Sequence, residues 1–242
     1  MSFINSLIGG MIGGAIGGPL GAILGAVIGS KVGSQTKQSF SSNQTNQAAF
    51  FTALFACLAK LAKADGVVSK EEVDKVDFYI KNKFNFPSDQ RSLAIKIFNQ
   101  AKDDQHSFHD YATQLATLLS SNENSLIMFY ELLFELAIAD GVLHDSEEKL
   151  LKEVPFIFGI RSDLFEELKA KFDNQASDAY LVLGVNRDMS FADIKKEYQK
   201  KRREFHPDTL ISKGLPEELL EKAKEKFIQI QQAYEEIEKQ NK

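Results

Sequence analysis

The chain has 242 residues and a net charge of −5, long enough for a core of ordinary size and a second, smaller domain. Residues 46–176 hold 21 acidic against 14 basic side chains, an imbalance that argues against a nucleic-acid partner. Cys57 is the only cysteine, which excludes a disulfide framework within one chain and fits a reducing compartment.

From Ser2 to Ser30 no side chain is charged, and Gly9, Gly13, Gly17, Gly21, Gly25, Gly29 and Gly33 recur every fourth residue. The row Gly10, Gly14, Gly18, Ala22, Ala26 and Ser30 is small throughout, and the row Ile8, Ile12, Ile16, Leu20, Leu24, Ile28 and Val32 is aliphatic. Such rows predict a helix over residues 1–33. In water each interior glycine would cost that helix about 0.8–1 kcal/mol relative to alanine, and Pro19 would add more. In a bilayer an unpaired backbone is costlier still, so the helix is retained and its small rows let a second backbone approach closely. The reading is a transmembrane helix that makes a homo-oligomer through Gly9, Gly13, Gly17, Gly21, Gly25 and Gly29. Lys31 and Lys37 follow it and no basic residue precedes it, which places the rest of the chain on the cytoplasmic side of a single span. The alternative is a soluble cytoplasmic oligomer, with several such helices bundled outside lipid. A cleaved signal peptide fits poorly, because neither a basic start nor an Ala-x-Ala site is present.

Residues 34–46 are polar and read as a linker. Residues 47–173 then read as helical and duplicated: the run from Leu61 to Glu72 recurs 75 positions later from Leu136 to Glu147. In each copy a helix ends at Asp65-Gly66 or Asp140-Gly141, and another begins with capping-box spacing, Ser69 with Glu72 and Asp145 with Glu148. The expectation is two helical hairpins packed together. This duplication resembles the TerB-like helical domain, for some members of which divalent-metal binding through acidic clusters has been proposed. The matching residues are Asp65, Glu72, Asp140 and Glu147, whose oxygen ligands would suit calcium or magnesium. Turns and caps account for the same four residues, so no metal is favoured. His106, His109 and His144 lack ligand spacing and read as surface residues.

Residues 177–242 open with Tyr180-Leu181-Val182-Leu183-Gly184-Val185, followed by a basic amphipathic helix over 190–205. Ser190 and Asp193 cap it, Ile194, Tyr198 and Phe205 share one face, and Lys195, Lys196, Lys200, Arg202 and Arg203 occupy the rest. Pro207 stops that helix. A second starts near Pro216, with Ala223, Phe227, Ile230, Tyr234 and Ile237 as its apolar stripe and Gln231-Gln232-Ala233-Tyr234 near its end. The product is an antiparallel hairpin with His206-Pro207-Asp208 in a charged loop at its tip.

This set resembles the J domain of DnaJ-type co-chaperones. The resemblance implies that His206, Pro207 and Asp208 trigger ATP hydrolysis on a DnaK-type chaperone, and that Lys195, Lys196, Lys200, Arg202 and Arg203 form the docking face. The domain would do no chemistry itself and would need no cofactor. Three positions depart from the family: Lys201 stands where a buried leucine is usual, Gln199 where a basic residue is frequent, and Thr209 where a Lys or Arg commonly follows the tripeptide. Lys201 can lay its stem on the core and send its ammonium to water.

The fold class expected is all-α: a glycine-zipper helix, a TerB-like bundle and a J-domain hairpin. That order resembles membrane-anchored co-chaperones of the DjlA type and implies a bacterial inner-membrane location. Two other functions stay open, an oligomeric scaffold that uses the J domain as a docking handle and a metal-responsive stress sensor. No phosphate-binding loop, nucleophile elbow or metalloprotease motif points to an enzyme.

Overall fold

A computed structural model of the chain describes residues 16–28, 41–64, 66, 68, 70–84, 86–139, 142–174 and 179–241. Among these residues the protein is helical and has no strand. The zipper residues Gly9, Gly13 and Gly29, with Lys31 and Lys37, lie outside the described residues, as do Asp65 and Asp140.

Helix α1 (Gly18–Ile28) is the described part of the glycine-rich run. It does not continue through Gly17, because Gly17 and Gly18 both take positive φ, 62° and 55°. Two adjacent glycines ahead of Pro19 make a turn and a proline-started helix, which overrides the four-residue periodicity that predicts one unbroken helix. No helix of the described residues is long and apolar enough to cross a membrane. Ile16, Leu20, Ile23 and Leu24 are buried against the bundle that follows, whereas Gly25 has open space around it.

Helix α2 (Ser42–Ala62) starts inside the segment expected as a linker. Ser41 and Gln44 form a capping box, the Gln44 backbone N–H donating to Ser41 Oγ and the Ser41 N–H to Gln44 Oε1. From Gln47 to Ala59 every side chain of α2 is buried, the mark of a helix wrapped on all sides. Its wrapping comprises α1, α4 (Ser88–Asp103), α5 (Phe108–Leu118), α6 (Glu123–Ala137) and α7 (Asp145–Phe158). Phe50 meets Phe129 edge to face at 5.2 Å, and Phe129 meets Phe158 at 5.6 Å, so rings from α2, α6 and α7 interlock.

Between α2 and α4 runs α3 (Lys70–Tyr79), which passes into a π-helical turn, Ile80–Phe84. This turn brings Phe84 against Tyr79 and Phe86. Helix α7 is capped one residue earlier than the sequence suggests: the His144 N–H donates to Glu147 Oε2 at 3.1 Å, whereas Glu148 pairs with Lys152 and Lys169. Glu147 thus serves as a cap, one of the structural roles that account for the four acidic residues without a metal. Gly159 closes α7 in the left-handed conformation, and α8 (Leu164–Asn174) follows.

The C-terminal unit comprises α9 (Ala179–Leu183), α10 (Phe191–Glu204), α11 (Pro207–Ser212), a 3₁₀ turn at Glu217–Leu219 and α12 (Leu220–Gln240). Helices α10 and α12 pair as the expected hairpin; Tyr198 stacks on Tyr234 at 4.0 Å and Phe191 also stacks with Tyr234, at 6.0 Å. Ala223, Ile230, Tyr234 and Ile237 are buried, as the apolar stripe requires.

Candidate functional site

His206, Pro207 and Asp208 sit where α10 ends and α11 begins. The tripeptide is a helix start and not the open loop expected from the sequence. Pro207 takes the first helical position, where its missing N–H costs nothing, and His206 is the N-cap, its Nδ1 accepting from the Asp208 N–H at 3.3 Å. The imidazole also stands edge-on to Phe227 of α12 at 5.3 Å. These contacts fix the ring while leaving the side chain 48% exposed, and the Asp208 carboxylate is 89% exposed. A fixed imidazole and an exposed carboxylate side by side can make directed polar contacts with a second protein.

Along α10, Lys195, Lys196, Lys200, Arg202 and Arg203 all point to solvent. Ser190 caps the helix by accepting from the Asp193 N–H, and Asp193 then pairs with Lys196 at 3.0 Å. Ser190 and Lys196 together hold the Asp193 carboxyl below the usual carboxylate range. Lys195, Lys200, Arg202 and Arg203 have no carboxylate within ion-pair distance among the described residues, so their charge is available to an acidic partner.

The other face of the C-terminal unit is committed to the bundle. Lys222 on α12 pairs with Glu135 of α6 at 2.6 Å and lies over the Phe84 ring of the π turn, while Tyr79 donates to the same carboxylate at 2.9 Å. One helical turn on, Lys226 pairs with Glu131 at 2.5 Å. The connection after α11 is wedged in as well, with Gln47 donating to the Leu215 carbonyl and Ser125 to the Lys213 carbonyl, both at 3.2 Å. Gly214 has φ +105°, and a Cβ there would meet Asn46 Cβ at 2.8 Å. The tripeptide therefore stands a few residues from a segment clamped to the larger domain.

Lys201 departs from the expected placement of a stem on the core with its ammonium in water. Its side chain is half-buried and its ammonium turns toward Arg161 and Gly184, in the crevice that also holds Lys171, Lys226, Glu131 and Glu167. Arg161 and Lys171 both pair with Glu167. Four cations from α10, α12 and the α7–α8 region thus surround two carboxylates. Burial and the neighbouring Lys226 and Arg161 push the Lys201 amine down to about 8, and burial with Lys226 pushes Lys171 down to about 8. Lysines 171, 201 and 226 hold the Glu131 carboxyl below its usual range against its own burial. Sequence reasoning missed this interface, although Lys201 in a leucine position and Lys222 and Lys226 one turn apart beside the apolar stripe of α12 were its visible signals.

Of the four acidic residues considered for metal, Glu72 lies on α3 and Glu147 caps α7. Among the described residues no group of three or more His, Cys, Asp or Glu side chains could hold a metal ion. His106 is tied to Asp104, which also receives Lys60 and Tyr111, and His109 is paired with Glu153 across α5 and α7. These contacts join helices and converge on no shared space.

Comparison with known proteins agrees with this anatomy. Residues 51–170 match the family model described as tellurite resistance protein TerB, residues 178–242 that of the DnaJ domain, and residues 1–39 that of the co-chaperone DjlA transmembrane domain. The chain is 31% identical to the co-chaperone protein DjlA of Photobacterium profundum, over 83% of this chain and 82% of that protein. It belongs to the DjlA co-chaperone family. Proteins of the same description from Aliivibrio fischeri and Vibrio parahaemolyticus are 29% and 30% identical, over 85% and 82% of this chain and 83% and 80% of theirs. No solved structure matches the chain. A J domain in this family implies a DnaK-type partner and fits the role of a co-chaperone, and the transmembrane-domain match points to a membrane-anchored protein.

Proposed function

We propose that this chain recruits a DnaK-type chaperone to the cytoplasmic face of a bacterial inner membrane and stimulates its ATPase through His206, Pro207 and Asp208. The observation that carries the reading is the contrast between the two faces of the C-terminal unit: the tripeptide and the basic face of α10 are exposed, while the opposite side is locked to the TerB-like bundle. A fixed polar trigger beside an exposed, largely unpaired cationic face suits an acidic, nucleotide-bound partner, because the charge accelerates encounter and the rigid contacts confer selectivity. Association of several chains through the small-residue rows of residues 1–33 would cluster these docking faces on the membrane.

The direct test is the single-turnover ATPase of a DnaK-type chaperone with and without the full chain in detergent. Wild type is expected to raise the rate, and Asp208→Asn, which keeps the shape and removes an exposed charge, to lose most of that increase. Equal stimulation by both chains would refute the assignment of the trigger. Reversing Lys195 and Lys200 to Glu should act differently, lowering the association rate at low salt by roughly tenfold or more and flattening its dependence on ionic strength. Stopped-flow binding over a salt series checks this; parallel salt curves for the two chains would show that α10 does not steer.

A further inference from the structure

Gln114 of α5 makes three contacts with a segment almost 100 residues away. Its Oε1 accepts from the Leu20 N–H at 2.8 Å, and its Nε2 donates to the Gly17 carbonyl at 2.9 Å and the Ile16 carbonyl at 3.4 Å. The side chain thus acts as an N-terminal cap for α1, supplied by another helix. Helix starts leave N–H groups unpaired; here Pro19 has none to pair, Leu20 gives its own to Gln114, and Gly21 donates to the Gly17 carbonyl at 2.9 Å. The fit requires glycine, since a Cβ on Gly18 would stand 2.9 Å from the Gln114 amide. Leu20, Ile23 and Leu24 are then buried where α1 packs on α2, α4 and α5, while Ala22, Gly25 and Ala26 face outward.

The same residues lie within the segment matched to a transmembrane domain. Both placements cannot hold at once. Helix α1 has 11 residues, about 16 Å, and a span takes about 20 residues in one continuous helix, so Gly17 and Gly18 must leave their turn before residues 16–28 can join one. Leucine and isoleucine escape water equally well in the groove and in lipid. The Gln114 contacts exist in the groove alone, while the bilayer offers helix continuity and small-residue packing.

We propose that the face of the TerB-like bundle formed by α4 and α5 is a receptor for the chain's own residues 16–28, which exchange between this docked site and the membrane by a change of conformation at Gly17–Gly18. Gln114 is the latch. The inference rests on the membrane-anchor part of the proposed function and on no chaperone contact, so its readouts contain no ATPase step.

The test uses the full chain with nitroxides at Ala26→Cys and Thr113→Cys, both exposed positions; Cys57 is fully buried and its thiol pushed far up, so it does not label. Neighbouring packed helices lie about 8–10 Å apart axis to axis, so a single short distance is expected for the lipid-free chain. On vesicles of phosphatidylethanolamine and phosphatidylglycerol that distance should lengthen. Gln114→Ala, which leaves a good helix former on a half-exposed site, should lower the lipid concentration at half-association about tenfold, as expected for losing two good hydrogen bonds. A vesicle-bound chain that keeps the short distance, a long distance without lipid, a chain that stays dispersed only in detergent, or unchanged partition of Gln114→Ala each overturns the exchange. A chain that never associates with vesicles fails the anchor reading instead, and is recognised by that absence of binding.

Discussion

His206→Gln is expected to abolish stimulation of the partner ATPase while leaving the J-domain hairpin folded. The imidazole makes two intramolecular contacts, an N-cap bond to the Asp208 N–H and an edge contact with Phe227. Losing a cap costs about 1 kcal/mol, and the ring contact is of similar size, so a domain held by the Tyr198–Tyr234 stack and a fully buried Ile230 and Ile237 survives the change. Function should be hit far harder, since glutamine is longer, more mobile and without the ring that fixes the donor beside Asp208. The expected pattern is stimulation reduced to the basal rate with the melting temperature lowered by a few degrees. Matched circular dichroism melts and single-turnover assays read both quantities. Lost stimulation accompanied by lost helicity would make His206 a folding residue and remove it from the trigger.

Where a signal was local, the sequence was readable. The Ser190–Asp193 start of α10, the alternation of apolar and basic positions along it and the stripe on α12 all depend on residues within one or two turns, and the structure reproduces them. The exposed basic face of α10 follows directly from that periodicity. Errors arose where two local signals competed. Residues 41–46 are polar enough for a linker, yet Ser41 and Gln44 satisfy each other's backbone and start a helix whose later residues are entirely buried. Pro207 stops one helix and starts the next, and both are proper uses of its fixed φ and missing N–H. At Gly17–Gly18–Pro19 the four-residue row predicts helix and the dipeptide before proline predicts a turn; the turn prevails because Gln114 supplies the cap. That glutamine, like the clamp around Gly214, comes from far along the chain and leaves no periodic trace.

The largest stability effect is expected at the interdomain crevice, where four cations face two carboxylates. Glu131→Gln removes half of that compensation from beside Lys226, Lys171 and Lys201, and breaking a buried pair by deleting one partner costs about 3–5 kcal/mol. Lys201→Leu, which installs the residue usual in J domains, should stabilise the chain and recover part of the Glu131→Gln loss, so the two changes should be non-additive in denaturant titrations. The pH dependence has a definite sign. Lys201 and Lys171 have folded values near 8 against an ordinary 10.5, so between these limits the unfolded chain binds more protons than the folded one. Stability from these groups therefore rises with pH from about 8 to about 10.5, and their full penalty is present below 8. In Lys201→Leu the rise should be roughly halved, because Lys171 alone is left to supply it. A wild-type stability flat across this window, or equal slopes in both chains, would place the Lys201 ammonium in water and return the crevice to an ordinary surface contact.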